Sequence, residues 1–175
     1  MDDTKSEVAI TWQHDDGGRS LAGFTGYTGD CVVRAIAIAG GMDYREVYDE
    51  MYARQRAFFA RTRSKRVKYT RTGKARTGSP REGIYSDVYK PYLAELGWVW
   101  TPTMTIGSGV RMHVSWAELP DEPIMILRLS KHLCAVINGV VRDTLDPSRE
   151  GMRAVYGYWT PPEPRTVPMT RITRR

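Results

Sequence analysis

Cys31 is the residue whose position first asks for chemistry. It follows Gly29-Asp30 and opens the run Cys31-Val-Val-Arg-Ala-Ile-Ala-Ile-Ala39, which stops at Gly40-Gly41. Asp30 suits an N-cap and the glycine pair a C-terminal stop, so the spacing predicts a helix with Cys31 as its first residue. A thiol placed there faces unpaired N–H groups and the positive end of the helix dipole. Both lower its pKa from a free value of about 8.5 and make thiolate available at neutral pH. The glycine-bearing approach Gly26-Tyr27-Thr28-Gly29 lets a substrate backbone come close. Taken alone, Cys31 also fits a small buried apolar residue, the commonest role of a free cysteine.

The second constellation is a hairpin. His132–Ile137 and Val140–Thr144 flank Asn138-Gly139, the strongest short hairpin signal. A two-residue type I′ turn sets Ile137 opposite Val140, Val136 opposite Val141 and Cys134 opposite Asp143. His132, Cys134, Val136, Val141 and Asp143 then share one face, with His132 and Asp143 as diagonal neighbours. An imidazole held by a carboxylate has a fixed tautomer and is a better base. A bulge or a three-residue loop would move the register by one and make Asp146 the orienting acid. Together these residues are the parts that cysteine catalysis requires. Cys31 is the nucleophile, His132 the proton carrier and Asp143 its orienter, and the Cys31 N–H is an oxyanion donor at the helix start. This chemistry calls for no cofactor and no metal.

Gly29-Asp30-Cys31 opening an apolar helix, followed later by His132-Leu-Cys-Ala-Val-Ile-Asn-Gly-Val-Val-Arg-Asp143, resembles the papain-like cysteine peptidase superfamily. The order Cys, His, Asp is also that of the superfamily. The likeness is greatest to small bacterial and phage members, including the bacteriocin-leader-processing peptidases. It covers 25–41 and 124–147, about a quarter of the chain. The resemblance implies an α+β fold in which N-terminal helices, the Cys on a central buried one, pack on a C-terminal antiparallel sheet carrying His and Asp. It implies a thiol hydrolase or acyl transferase acting on a protein, peptide or wall-peptide amide. Members commonly place a Gln shortly before the Cys to complete the oxyanion hole. Here Thr25 stands at that point, Thr28 is nearer, and Gln13 is the only upstream Gln. Thr25 and Thr28 are therefore the oxyanion side-chain candidates.

Several elements must position these residues. A short strand is expected over Glu7–Trp12 and a loop over His14–Gly29. A second helix starts at Asp43, with Glu46 at capping-box spacing and Val47, Met51 and Phe58 in helical period, and fades near Arg61. Residues 61–82, with Gly73, Gly78 and Pro80, are expected to form an extended, partly flexible loop insertion. A third helix is expected over Ser86–Leu96 with Ser86 as N-cap, which requires Pro91 in its first turn or a later start. Strands follow over Val99–Thr105, Ile124–Leu129, the hairpin and Val155–Trp159, with a helical turn at Ser115–Leu119. Helices first and strands second favour one α+β domain over 1–160 and a tail over 161–175.

Composition narrows the classes. The chain has 175 residues, 41% hydrophobic and 26% charged, which suits one globular domain. Apolar stretches such as Ala35–Ala39 and Ile124–Leu127 fall far short of the roughly 20 residues that span a bilayer. The start Met1-Asp2-Asp3-Thr4-Lys5 has no basic or apolar region of a secretory signal, so a cytoplasmic, reducing setting is expected. Two cysteines without a CxxC pair make neither a disulfide scaffold nor a zinc ribbon; a Cys31–Cys134 disulfide would block the nucleophile.

The net charge is +6, unevenly spread. Arg54, Arg56, Arg61, Arg63, Lys65, Arg66, Lys68, Arg71, Lys74, Arg76 and Arg81 form a run of eleven basic residues without an acid, and the 165–175 tail adds four more. The remainder holds 11 basic and 20 acidic residues. The basic run suits a solvated loop, an acidic substrate or partner protein, or nucleic acid, whose binding would weaken steeply with salt.

Overall fold

The apolar run after Asp30 forms the helix around which the molecule is built. In the computed structural model, which describes residues 10–26, 28–105 and 112–162, α1 spans Cys31–Gly40 and buries eight of its ten residues. Gly41 ends it in the left-handed conformation (φ 59°), with its N–H returned to the Ala37 and Ile38 carbonyls. Helix α2 spans Tyr44–Arg61; the Asp43 side chain accepts from the Glu46 N–H at 3.1 Å, and Val47 and Met51 are fully buried. The segment expected to run as an extended loop after Arg61 instead contains α3 (Lys65–Lys68), a Tyr69–Ala75 bridge and a 3₁₀ turn over Pro80–Glu82. Buried Gln55 of α2 holds it: its amide donates to the Gly78 and Gly83 carbonyls and accepts from the Tyr85 N–H.

Helix α4 spans Ser86–Glu95, with Tyr85 rather than Ser86 at the N-cap. Pro91 lies in its interior, not in its first turn. Pro91 is exposed, so the Asp87 carbonyl that loses a helical partner stays near solvent.

The strands are β1 (Trp12–His14), β2 (Val99–Pro102), β3 (Met112–His113), β4 (Ile124–Leu129), β5 (His132–Ile137), β6 (Val140–Asp143), β7 (Ala154–Val155) and β8 (Gly157–Thr160). Six form one sheet in the order β1-β6-β5-β4-β8-β2, and β3 pairs with β7 in a small second sheet. The fold is mixed α+β. The main sheet is mostly antiparallel but not wholly so: β1 joins it from the N-terminal side and runs parallel to β6, with Trp12 opposite Val141 and His14 opposite Asp143. The strand expected over Glu7–Trp12 thus lies later, and residues 7–9 fall outside the described residues. The single strand expected over Val155–Trp159 is divided at Tyr156 between two sheets. The proposed tail lies almost wholly outside the described residues.

Alternation along β4 and β5 sorts the core into two layers. Ile124, Ile126, Leu133 and Ala135 face α1, α2 and α4, whereas Met125, Leu127, Leu129, Cys134 and Val136 pack on the opposite face with Val114 and Val155. Among the described residues no helix is long and apolar enough to cross a membrane.

Candidate active site

Asn138 (φ 49°) and Gly139 (φ 76°) both take positive φ, as a type I′ turn requires. The hairpin accordingly pairs Ile137 with Val140, Val136 with Val141 and Ala135 with Arg142. In this register His132 begins β5 and Asp143 ends β6 at the same end of the sheet. His132 is set there by a tight turn in which Lys131 holds a positive φ of 55°. Helix α1 lies across β5 and brings the half-buried Cys31 to that end.

The three residues meet. His132 Nε2 lies 2.5 Å from Asp143 Oδ2. The imidazole also bonds the Cys31 sulfur, which accepts from the Leu133 backbone N–H. Burial works against ionising Cys31, but the His132 hydrogen bond and charge, the Leu133 N–H and the charge of Arg34 together hold the thiol below its ordinary value. Burial likewise works against a charged His132, yet its bonds to Asp143 and Cys31 push it up to about 9. Asp143 is desolvated too, but His132, Arg34 and the Thr144 N–H at 2.7 Å keep its carboxyl below the usual range. These shifts all favour a thiolate–imidazolium pair beside an ionised carboxylate over the neutral pair.

Asp30 does not cap α1. Its side chain makes no bond to the first turn and turns instead into a fully buried cluster. Arg34 donates to Asp30 Oδ1; Tyr44 Oη donates to Oδ2 at 2.5 Å, and Arg19 Nε stands 2.9 Å from the same oxygen. The other amino group of Arg34 donates to Asp143 Oδ1 at 3.2 Å. Arg34 therefore ties the start of the nucleophile's helix to the acid that orients His132. With Asp30 turned away, its side chain does not cap the first turn of α1, of which Cys31 and Val32 line the cleft.

The remaining candidates are placed elsewhere. The Thr28 hydroxyl donates to the Arg81 carbonyl at 3.3 Å, and the Thr25 carbonyl accepts from Arg19 and Arg81, both at 2.9 Å. Neither threonine lines the cleft at Cys31, nor does any Asn or Gln. Asp146 is exposed and accepts the Ser148 N–H. Of the basic run, Arg61 ends α2, Lys65, Arg66 and Lys68 belong to α3, Arg63 precedes it, and Arg71 and Lys74 lie in the Tyr69–Ala75 excursion. Only Arg76 of these reaches the cleft. That cleft, of about 670 Å³, is walled on one side by Glu82–Ser86 with Tyr89 and on the other by Arg128–Leu133. Gly29 lines its floor, where a side chain would press on the Arg81 and Gly83 backbone.

Sequence reasoning missed Arg34, Arg19, Tyr44 and the true role of Asp30. One signal was available: Arg34 is the only charge in an otherwise apolar helix, four residues from Asp30. A lone cation in a buried helix requires a buried acid.

Cys134 is the contrasting thiol. It is fully buried among Val136, Val141 and Leu127, where desolvation first and the charge of Asp143 next push it well above the ordinary thiol value. No protein-family model, curated protein or solved structure matches this chain. Among the described residues no cluster of His, Cys, Asp and Glu is fit to hold a metal ion.

Proposed function

We propose that this chain is a papain-like cysteine hydrolase, a peptidase, isopeptidase or amidase working through a thioester acyl-enzyme. The observation that carries the reading is the convergence of Cys31, His132 and Asp143, with Cys31 and His132 lining one open cleft and buried Asp143 bonded to His132 behind them. The Cys31 thiolate attacks the substrate carbonyl and forms a C–S bond while the C=O electron pair moves onto oxygen. The N–H groups at the start of α1 stabilise that oxyanion. The oxyanion collapses, the C–N bond breaks, and imidazolium His132 gives its proton to the leaving amine. Neutral His132 then takes a proton from water, whose hydroxide attacks the thioester. The carboxylic product leaves and the thiolate–imidazolium pair returns. An amine in place of water makes the same site an acyl transferase.

The test is alkylation of Cys31 by iodoacetamide against pH, in the wild type and in His132→Ala. The expected result is a reactive thiol titrating below the free range, shifted upward when His132 is removed. A Cys31 that titrates like free cysteine in both proteins would sink the reading. A second reading is favoured by the groove that Lys65, Arg66, Arg71 and Arg76 line: a non-catalytic module that grips nucleic acid. Cys31→Ala separates the two, abolishing turnover but leaving such a grip intact.

A further inference from the structure

Two grooves meet at Arg76. One is the cleft of Cys31 and His132, whose far wall contributes Arg128 and Lys131. The other, of about 580 Å³, lies between α3 and the Tyr69–Ala75 excursion and is lined by Lys65, Arg66, Arg71 and Arg76 without an acid. Arg76 is the side chain common to both. Its backbone N–H is pinned to the Lys68 carbonyl at 2.9 Å, and its Nε is buried with no hydrogen bond among the described residues.

Four arginines outside the grooves are neutralised. Arg19, Arg34, Arg54 and Arg142 each face a carboxylate within 4.0 Å. Among the described residues, none of the Lys and Arg side chains lining the two grooves has such a partner. Glu82 is the one acid on the cleft wall, and its carboxylate accepts the Thr77 N–H. Like charges held along one path without counter-charge raise the local concentration of an anionic ligand.

We infer that the substrate is an acidic polypeptide. Asp or Glu side chains on the α3 side of the scissile carbonyl lie on Arg76 and the 65–71 cations, while the carbonyl itself sits at Cys31. This inference rests on the proposed hydrolase reading, because a path that ends at a nucleophilic thiol must deliver an acyl group. Carboxylates fit that path better than nucleic acid does: the second groove offers only Tyr69 as a stacking surface, and a phosphodiester presents no amide carbonyl to Cys31.

Two measurements on the full chain test it. In the first, a fluorescent glutamate-rich peptide and its glutamine analogue are titrated against Cys31→Ala, with an oligothymidylate of equal charge as competitor. The glutamate peptide should bind, weaken as salt rises, and lose about fivefold in affinity in a Cys31→Ala/Arg76→Gln double variant, the worth of one accessible ion pair. Arg149→Gln, which lines neither groove, should not reproduce that loss. Equal binding of the two peptides would overturn the inference, and so would displacement by the oligonucleotide at far lower concentration. In the second, iodoacetate and iodoacetamide compete for Cys31 in the wild type. The anionic reagent should gain on the neutral one relative to free cysteine, and the gain should shrink in Arg76→Gln. A reactive Cys31 without that gain would defeat the inference and leave the hydrolase reading standing. A Cys31 inert to both reagents would defeat the hydrolase reading and the inference that rests on it.

Discussion

Cys31 and Cys134 are the same side chain in two regions of one chain, and their surroundings are opposite. Cys31 starts a helix at the mouth of a cleft, where an imidazole, a backbone N–H and a guanidinium stabilise its anion. Cys134 lies mid-strand in the apolar layer on the sheet's other face, where desolvation and the nearby carboxylate of Asp143 oppose its anion and outweigh the charge of Arg153. Reactivity here belongs to the surroundings, and the sheet separates the two environments.

The bluntest way to break this comparison is to delete one thiol at a time. Cys31→Ala should abolish hydrolysis and all alkylation by iodoacetamide at neutral pH, with the adduct mapped by mass spectrometry. Cys134→Ala should leave the Cys31 adduct in place; an adduct on Cys134 in the wild type would erase the distinction. Next in size, His132→Ala removes the group that makes Cys31 unlike Cys134. Turnover should fall by about 10²–10⁴, the usual worth of a positioned proton carrier.

Arg34→Met tests the support beneath the site. It takes the shared guanidinium from two buried carboxylates, leaving Asp30 to Arg19 and Tyr44 and Asp143 to His132, and should cost up to about 3–5 kcal/mol in urea denaturation, the penalty for breaking a buried pair.

The pH profile sharpens the contrast further. Turnover should rise as Cys31 ionises, below the free-thiol range, and fall again through about 9 as His132 loses the proton that the leaving amine needs. On the acid side, Asp143 is ionised more readily in the fold than in the unfolded chain. Its stabilising share is present above the usual carboxylate range and is lost as pH falls through its lowered folded value. Asp143→Asn should flatten that acid limb in thermal melts. The smallest effect belongs to Cys134→Val, a near volume-conserving change in an apolar layer, at less than about 1.5 kcal/mol with alkylation kinetics unchanged.

How much of this was written in the chain depends on the range of the signal. Asn138-Gly139 set the hairpin register through two residues, and with it the meeting of His132 and Asp143. Cys31 at the head of an apolar helix, the Asp43 cap and the stop at Gly40-Gly41 are equally local. What escaped were choices between local and distant partners. Asp30 has every mark of a cap, but Arg34, Arg19 and Tyr44 offer its carboxylate stronger partners than a backbone N–H. The parallel joining of β1 to β6 spans almost the whole chain and leaves no periodic trace. The basic segment carries turn residues throughout, yet one amide, Gln55, organises it from another helix. Pro91 inside α4 breaks a local rule because the carbonyl left without a partner lies at the surface.

The Asp30–Arg34–Asp143 chain has a last consequence, in the conservation of charge. With thiolate and imidazolium formed, the linked group contains three anions, Asp30, Asp143 and Cys31, and three cations, Arg19, Arg34 and His132, and sums to zero. In the proposed reaction, attack on a carbonyl moves one negative charge from sulfur to oxygen. Departure of the amine removes that charge together with the imidazolium proton, and deacylation restores both. At every stage the total is unchanged, so the interior never has to recruit or expel a counter-ion. In that scheme opposite charges move or vanish only in pairs, beside the positive end of α1 where Cys31 sits.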